Sequence, residues 1–134
     1  MDSIELQDRT KRFCLSAITL FNKLPDKPLT QVLGKQMLRS ATSLAANYRA
    51  ACRSRSRPEF VAKISIVVEE ADETLFWLEI IGDSKLALVE QTLLVEAREI
   101  LYIMSSSRKT ARTKMETEKV ASKTKSPNRK SLNH

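Results

Sequence analysis

Five cations crowd one short stretch of this chain: Arg49, Arg53, Arg55, Arg57 and Lys63. Arg49 and Arg53 are four residues apart and share one helix face. Arg55 and Arg57 fall in a tight turn, so a basic knob is expected at one end of the fold. Planar guanidinium forks match phosphate oxygens, and Tyr48 beside them offers a stacking surface. That is the chemistry of a grip on a nucleic-acid backbone. A solvated helix C-terminus, whose dipole favours cations without any ligand, accounts for the same residues.

A second group is acidic: Glu69, Glu70, Asp72, Glu73 and Glu79. Carboxylates on bundle helices can hold two metal ions, but that chemistry needs Glu-x-x-His on the helices. The chain has one histidine, His134, at its end, so no metal and no cofactor are expected. Ion pairs between packed helices fit better: Arg39 is expected to face the region of Glu70 to Asp72, and Lys35 to face Glu73. Such pairs set register and partner choice more than stability. Ser40, Ser43, Cys14 and Cys52 have no histidine to activate them, and no glycine-rich phosphate loop exists. The chain does not read as an enzyme.

The elements that position these groups are helices. Glycine occurs only at Gly34 and Gly82, and proline only at Pro25, Pro28, Pro58 and Pro127, too few turn residues for a sheet protein of 134 residues. Helical periodicity predicts a first helix over about 6–24 and a second running to about Arg53, with Asp26 as its cap. Gly34 inside the second helix implies close approach by a neighbour. Ser56-Arg57-Pro58-Glu59 is a capping box for a third helix ending near Gly82. Asp83 or Ser84 is expected to cap the fourth, with Leu86, Leu93, Ala97, Ile100 and Met104 on one face.

Short connections make consecutive helices antiparallel neighbours. The predicted fold is therefore all-α, an up-down-up-down four-helix bundle over residues 1–107 with a disordered basic tail over 108–134. Helix continuing over Lys109 to Lys119 is compatible with the sequence. The third helix carries more apolar surface than its core line of Phe60, Ile64, Val67, Ala71, Leu75 and Leu78 needs. Val61, Ile66, Val68, Phe76, Trp77 and Ile80 spread around the rest of it, which predicts a subunit interface and an oligomer.

The net charge of +7 belongs to the tail: residues 1–107 hold 14 Lys/Arg and 14 Asp/Glu, whereas 108–134 hold 9 Lys/Arg against Glu116 and Glu118. Basicity alone therefore speaks for the tail, and the body is neutral with segregated charge. There is no leader pattern and no membrane-length apolar run, so a cytoplasmic protein without membrane contact is expected. Cys14 and Cys52 lie too far apart along the expected hairpin for a disulfide, and two free thiols are expected.

Leu38-Arg39-Ser40-Ala41, Ser43 through Asn47, the arginine-rich turn, Ser56 with Glu59-Phe60, and the run VEEADETLFWLE from Val68 to Glu79 together resemble the bacterial 23S rRNA intervening-sequence proteins. The similarity covers about residues 6–104. Where many relatives have Asn-x-x-Glu-Gly before the basic turn, this chain has Asn47-Tyr48-Arg49-Ala50-Ala51, so a role attached to that Glu-Gly pair does not transfer. The resemblance implies a four-helix subunit in a ring-like homopentamer. Some members are encoded within inserted segments of ribosomal RNA genes, and a similar fold serves diversity-generating retroelements as an accessory protein; the family has no settled activity. Two functions remain open: an oligomer that binds RNA or DNA, and an adaptor whose charged faces bind another protein.

Overall fold

The computed structural model describes residues 1–132, with side chains described through Thr124. Four helices, and no strand among the described residues, make up the fold: α1 Ser3–Lys23, α2 Lys35–Ala51, α3 Arg57–Asp83 and α4 Gln91–Leu132. Contacts at both ends of each pair give the directions. Gly34 packs on Phe21 and Leu24 beside the first turn, while Ser3 lies near Tyr48 and Cys52 at the other end of α1 and α2. In α2 and α3, Tyr48 and Phe60 share one recess near the turn, and Ser40 meets Thr74 further along. Gly82 meets Val89, and Arg57 meets Glu118. Consecutive helices therefore run antiparallel. The core between them contains Phe13, Met37, Leu44, Ile64, Leu78 and Ile100, all essentially sealed from solvent.

Local chemistry explains the boundaries. Asp2 caps α1 by accepting from the Glu5 N–H at 2.8 Å. A wide π-helical turn, Thr30–Gly34, leads into α2. It turns Thr30, Leu33 and Gly34 all inward, and the Thr30 hydroxyl donates to the Pro25 carbonyl. That bond, rather than the expected Asp26 cap, closes the turn. A Cβ on Gly34 would sit 2.8 Å from Leu24 Cδ1 and 3.1 Å from the Phe21 ring. Gly34→Ala is therefore expected to destabilise the fold by about 1–2 kcal/mol. Overpacking costs about 1–3 kcal/mol and outweighs the gain of up to about 1 kcal/mol in helix propensity. Urea denaturation at fixed m-value checks it.

At the start of α3, Ser56 Oγ accepts from the Glu59 N–H at 3.2 Å, and Glu59 reaches back to accept from the Arg55 N–H at 3.1 Å. At its end the chain departs from expectation. α3 runs through Gly82 and stops in a Schellman motif: Leu86 N–H bonds to the Ile81 carbonyl at 3.2 Å and Lys85 N–H to that of Gly82 at 3.0 Å. Lys85 takes the left-handed position, at φ 61°, where glycine is usual. Leu86 and Val89 are buried in the connection, and α4 begins only at Gln91. Burying Leu86 against Ile81 sets that stop, so neither Asp83 nor Ser84 caps α4.

The largest departure is at the other end of α4. Residues 108–124, expected as disordered tail with helix left open over Lys109 to Lys119, continue the helix throughout. Ala, Arg, Lys, Met and Glu dominate this stretch and favour helix; propagation from an already folded helix avoids the costly nucleation step. Ala111 is buried, and Glu118 is held by Arg57. The expectation for residues 125–134 falls outside the residues whose side chains are described.

One seam that the sequence did not announce closes the bundle. Arg9 on α1 donates from Nε to Glu96 at 2.8 Å and from Nη2 to Glu96 and Glu99 at 2.5 Å each. Hydrogen bonding to Arg9 holds the Glu96 carboxyl below its usual value of 4.5, against the opposing effect of its partial burial. A carboxylate depressed on folding stabilises the protein above its unfolded pKa, and loses that contribution as pH falls through the folded value. The stability difference between wild type and Glu96→Gln, measured by urea denaturation, is therefore expected to be full at neutral pH. It should vanish as the pH falls well below 4.5. Beyond Glu96 the seam opens into a groove of about 360 Å³, with Phe13, Leu20 and Leu93 among its lining.

Candidate nucleic-acid interface

The arginine-rich turn sits at the bundle end where α2 finishes and α3 begins. Cys52 follows the last turn of α2, and the Arg53 and Ser54 amides bond back to the Ala50 and Ala51 carbonyls at 3.0 and 3.1 Å. The helix thus tightens before reversing. Arg49, Arg53 and Arg55 are exposed and make no ion pair among the described residues. Arg57 and Lys63 differ. Arg57 pairs with Glu118 of α4 at 3.2 Å, and Lys63 with Glu59 one turn back at 3.1 Å. The five cations lie at or near one end of the bundle, but only three of them are unpaired.

The helical course of 108–124 changes the electrostatics of that end. Arg108, Lys109, Arg112, Lys114 and Lys119 are carried on α4 as it passes the turn. Lys114, Thr110 and Ala111 share a hollow of about 340 Å³ with Arg57 and Phe60. Lys114 thus joins Arg57 at that end, while Lys119 pairs with Glu116 at 3.6 Å. Sequence spacing could not reveal the meeting of Lys114 with Arg57, because more than fifty residues separate the two.

The acidic group does not converge. Glu69, Asp72 and Glu79 are exposed on α3, and no three His, Cys, Asp or Glu side chains come together as metal ligands among the described residues. Arg39 alone bridges Glu70, at 3.4 Å, and Glu73. Its fork spans two carboxylates three residues apart on one helix face, so Glu73 pairs with Arg39 rather than Lys35. Lys35 and Asp72 are exposed and make no ion pair among the described residues. Next to this bridge, Thr74 Oγ1 lies 2.9 Å from Ser40 Oγ in the core, a polar contact that fixes the register of α2 on α3.

The apolar girth of α3 divides as well. Val61 and Val68 are buried within their own chain, so they are not available to a second subunit: the helix is enclosed more widely by α2 and α4 than one core stripe requires. Phe76 and Ile66 remain exposed, at 50% and 43%, and Trp77 and Ile80 are half-buried. Phe76 and Trp77 pack edge to face, with ring centroids 5.0 Å apart. Asn47 donates to the Ser43 carbonyl and hydroxyl at 2.9 Å, a local contact within α2. Cys14 and Cys52 are free and half-buried. No helix among the described residues is long and apolar enough to cross a membrane.

Comparison with known proteins places this arrangement. The chain matches no curated protein. It is similar to a crystal structure from Bacteroides thetaiotaomicron, described as a protein of unknown function from the S23 ribosomal protein family. The two share 32% identity at a TM-score of 0.73, over 81% of this chain and 99% of that one. The family model for the 23S rRNA-intervening sequence protein matches residues 2–106, which leaves the basic continuation of α4 beyond the match. From residues 2 to 106, the chain belongs to the family of the 23S rRNA-intervening sequence protein.

Proposed function

We propose that the protein is a non-enzymatic, oligomeric accessory protein that holds RNA or DNA by its phosphate backbone. The supporting observation is the basic end: Arg49, Arg53 and Arg55 stand exposed and unpaired among the described residues, and Lys114 of α4 shares a hollow with Arg57 of the same turn. Guanidinium and ammonium groups spaced over such a surface neutralise successive phosphates and release counterions, with little need to read bases. The oligomer, for which the family resemblance implies a pentamer, buries Phe76, Trp77 and Ile80 together with Ile66. Repeating the basic end around a symmetry axis raises avidity without new contacts.

Titration of the full chain with structured RNA and with duplex DNA across a salt series tests the reading. Binding that weakens linearly in log salt, with a slope near 0.9 per duplex phosphate contacted, supports it. Absence of binding to either at low salt would overturn it and direct the search to a protein partner of the charged faces. Sedimentation of wild type beside Phe76→Lys tests the assembly: the variant is expected to sediment as a smaller species.

A further inference from the structure

Beneath the arginine turn lies a recess of about 440 Å³, bounded by the start of α1, the end of α2 and the first turn of α3. Clefts for small organic groups span about 300–1,000 Å³. Tyr48 and Phe60 provide aromatic walls, and Arg55 and Arg57 line the recess from the turn. The Tyr48 ring is buried. Burial first, and the neighbouring Cys52 thiol second, push the phenol upward, so it keeps its proton and can donate. Ser54 also lines the recess, and its hydroxyl is buried with no partner in the protein. Buried hydroxyls are almost always hydrogen-bonded, so Ser54 offers an unused donor and acceptor.

Aromatic walls, hydroxyl groups and two guanidinium groups around one hollow form an environment suited to a base lifted out of its stack. We propose that this recess takes an unstacked nucleobase from a single-stranded loop or end, with the adjoining phosphate on Arg55 and Arg57. The inference rests on the nucleic-acid reading above and narrows it. A continuous duplex keeps its bases paired and offers the recess nothing, so looped strands are the preferred class.

The test uses the full chain and two RNA probes of equal length: a hairpin with 2-aminopurine in its loop, and an uninterrupted duplex. The hairpin is expected to bind about tenfold more tightly, the worth of one stacked base, with a change in 2-aminopurine fluorescence. Ser3→Trp, at the exposed edge of the recess, should plug it and abolish the preference while leaving duplex affinity unchanged. Ser54→Ala removes a hydroxyl that bonds nothing in the protein and should reduce the preference without lowering the melting temperature. Equal binding of the two probes, or a preference that survives the plug, overturns the recess and leaves the phosphate reading standing. If neither probe binds, even at low salt, both readings are overturned.

Discussion

Replacing Arg49, Arg53 and Arg55 together with glutamine is expected to weaken nucleic-acid binding by about 100- to 1,000-fold at low salt. Each exposed guanidinium that meets a phosphate stays partly hydrated and contributes a net of about 0.9–1.4 kcal/mol, so three lost contacts sum to that factor. Three lost contacts should also lower the log-log salt slope by roughly 2.7 for duplex DNA. The loss should be uniform across sequences, because phosphate contacts position the ligand without specifying it. Folding should survive, since all three side chains are exposed and unpaired among the described residues. An unchanged slope would mean that these arginines are a solvated helix end. Arg57→Gln is a weaker probe, because it also breaks the pair with Glu118 that holds α4 beside the turn.

Ile100→Ala is expected to cost about 2–5 kcal/mol, the range for removing a large aliphatic side chain from a packed core. Ile100 is fully buried on the inner face of α4 with Ala97 and Met104. Leu6, Phe13 and Leu20 of α1 belong to the same buried core cluster as Ile100, so truncation leaves a cavity within a packed interior. For a domain whose total stability is about 5–15 kcal/mol, such a loss should be plain as a drop in the urea midpoint. Phe76→Ala is the contrast. Its half-exposed ring contributes less to the subunit, so the effect should appear in sedimentation before it appears in the urea midpoint of a dilute sample.

Much of the scaffold was legible before any coordinates. Ser56, Pro58 and Glu59 announce the start of α3 because capping is local: acceptor, proline and returning carboxylate lie within four residues. Gly34 signals a close approach because few other reasons place glycine inside a helix, and Phe21 and Leu24 provide it. The pairing of Arg39 with Glu70 follows from folding two helices about one short turn. The arginine cluster was legible as a set of residue types, but not as three unpaired cations and two paired ones.

The sequence by itself determined four helices, their antiparallel order and the location of the basic turn, since each depends on periodicity or on groups within a few residues. Tertiary structure decided everything that depends on side-chain direction or on distant partners. It turned Val61 and Val68 into their own core and joined Arg9 to Glu96 and Glu99. It also moved the stop of α3 past Gly82 to a left-handed Lys85, through the burial of Leu86. Above all, it brought residues 108–124 alongside the arginine turn as helix, where Arg57 holds Glu118. Composition treats a polar, basic stretch as unable to bury enough surface to order itself. A helix already folded upstream supplies the nucleus, and one buried alanine with one ion pair then suffices to extend it.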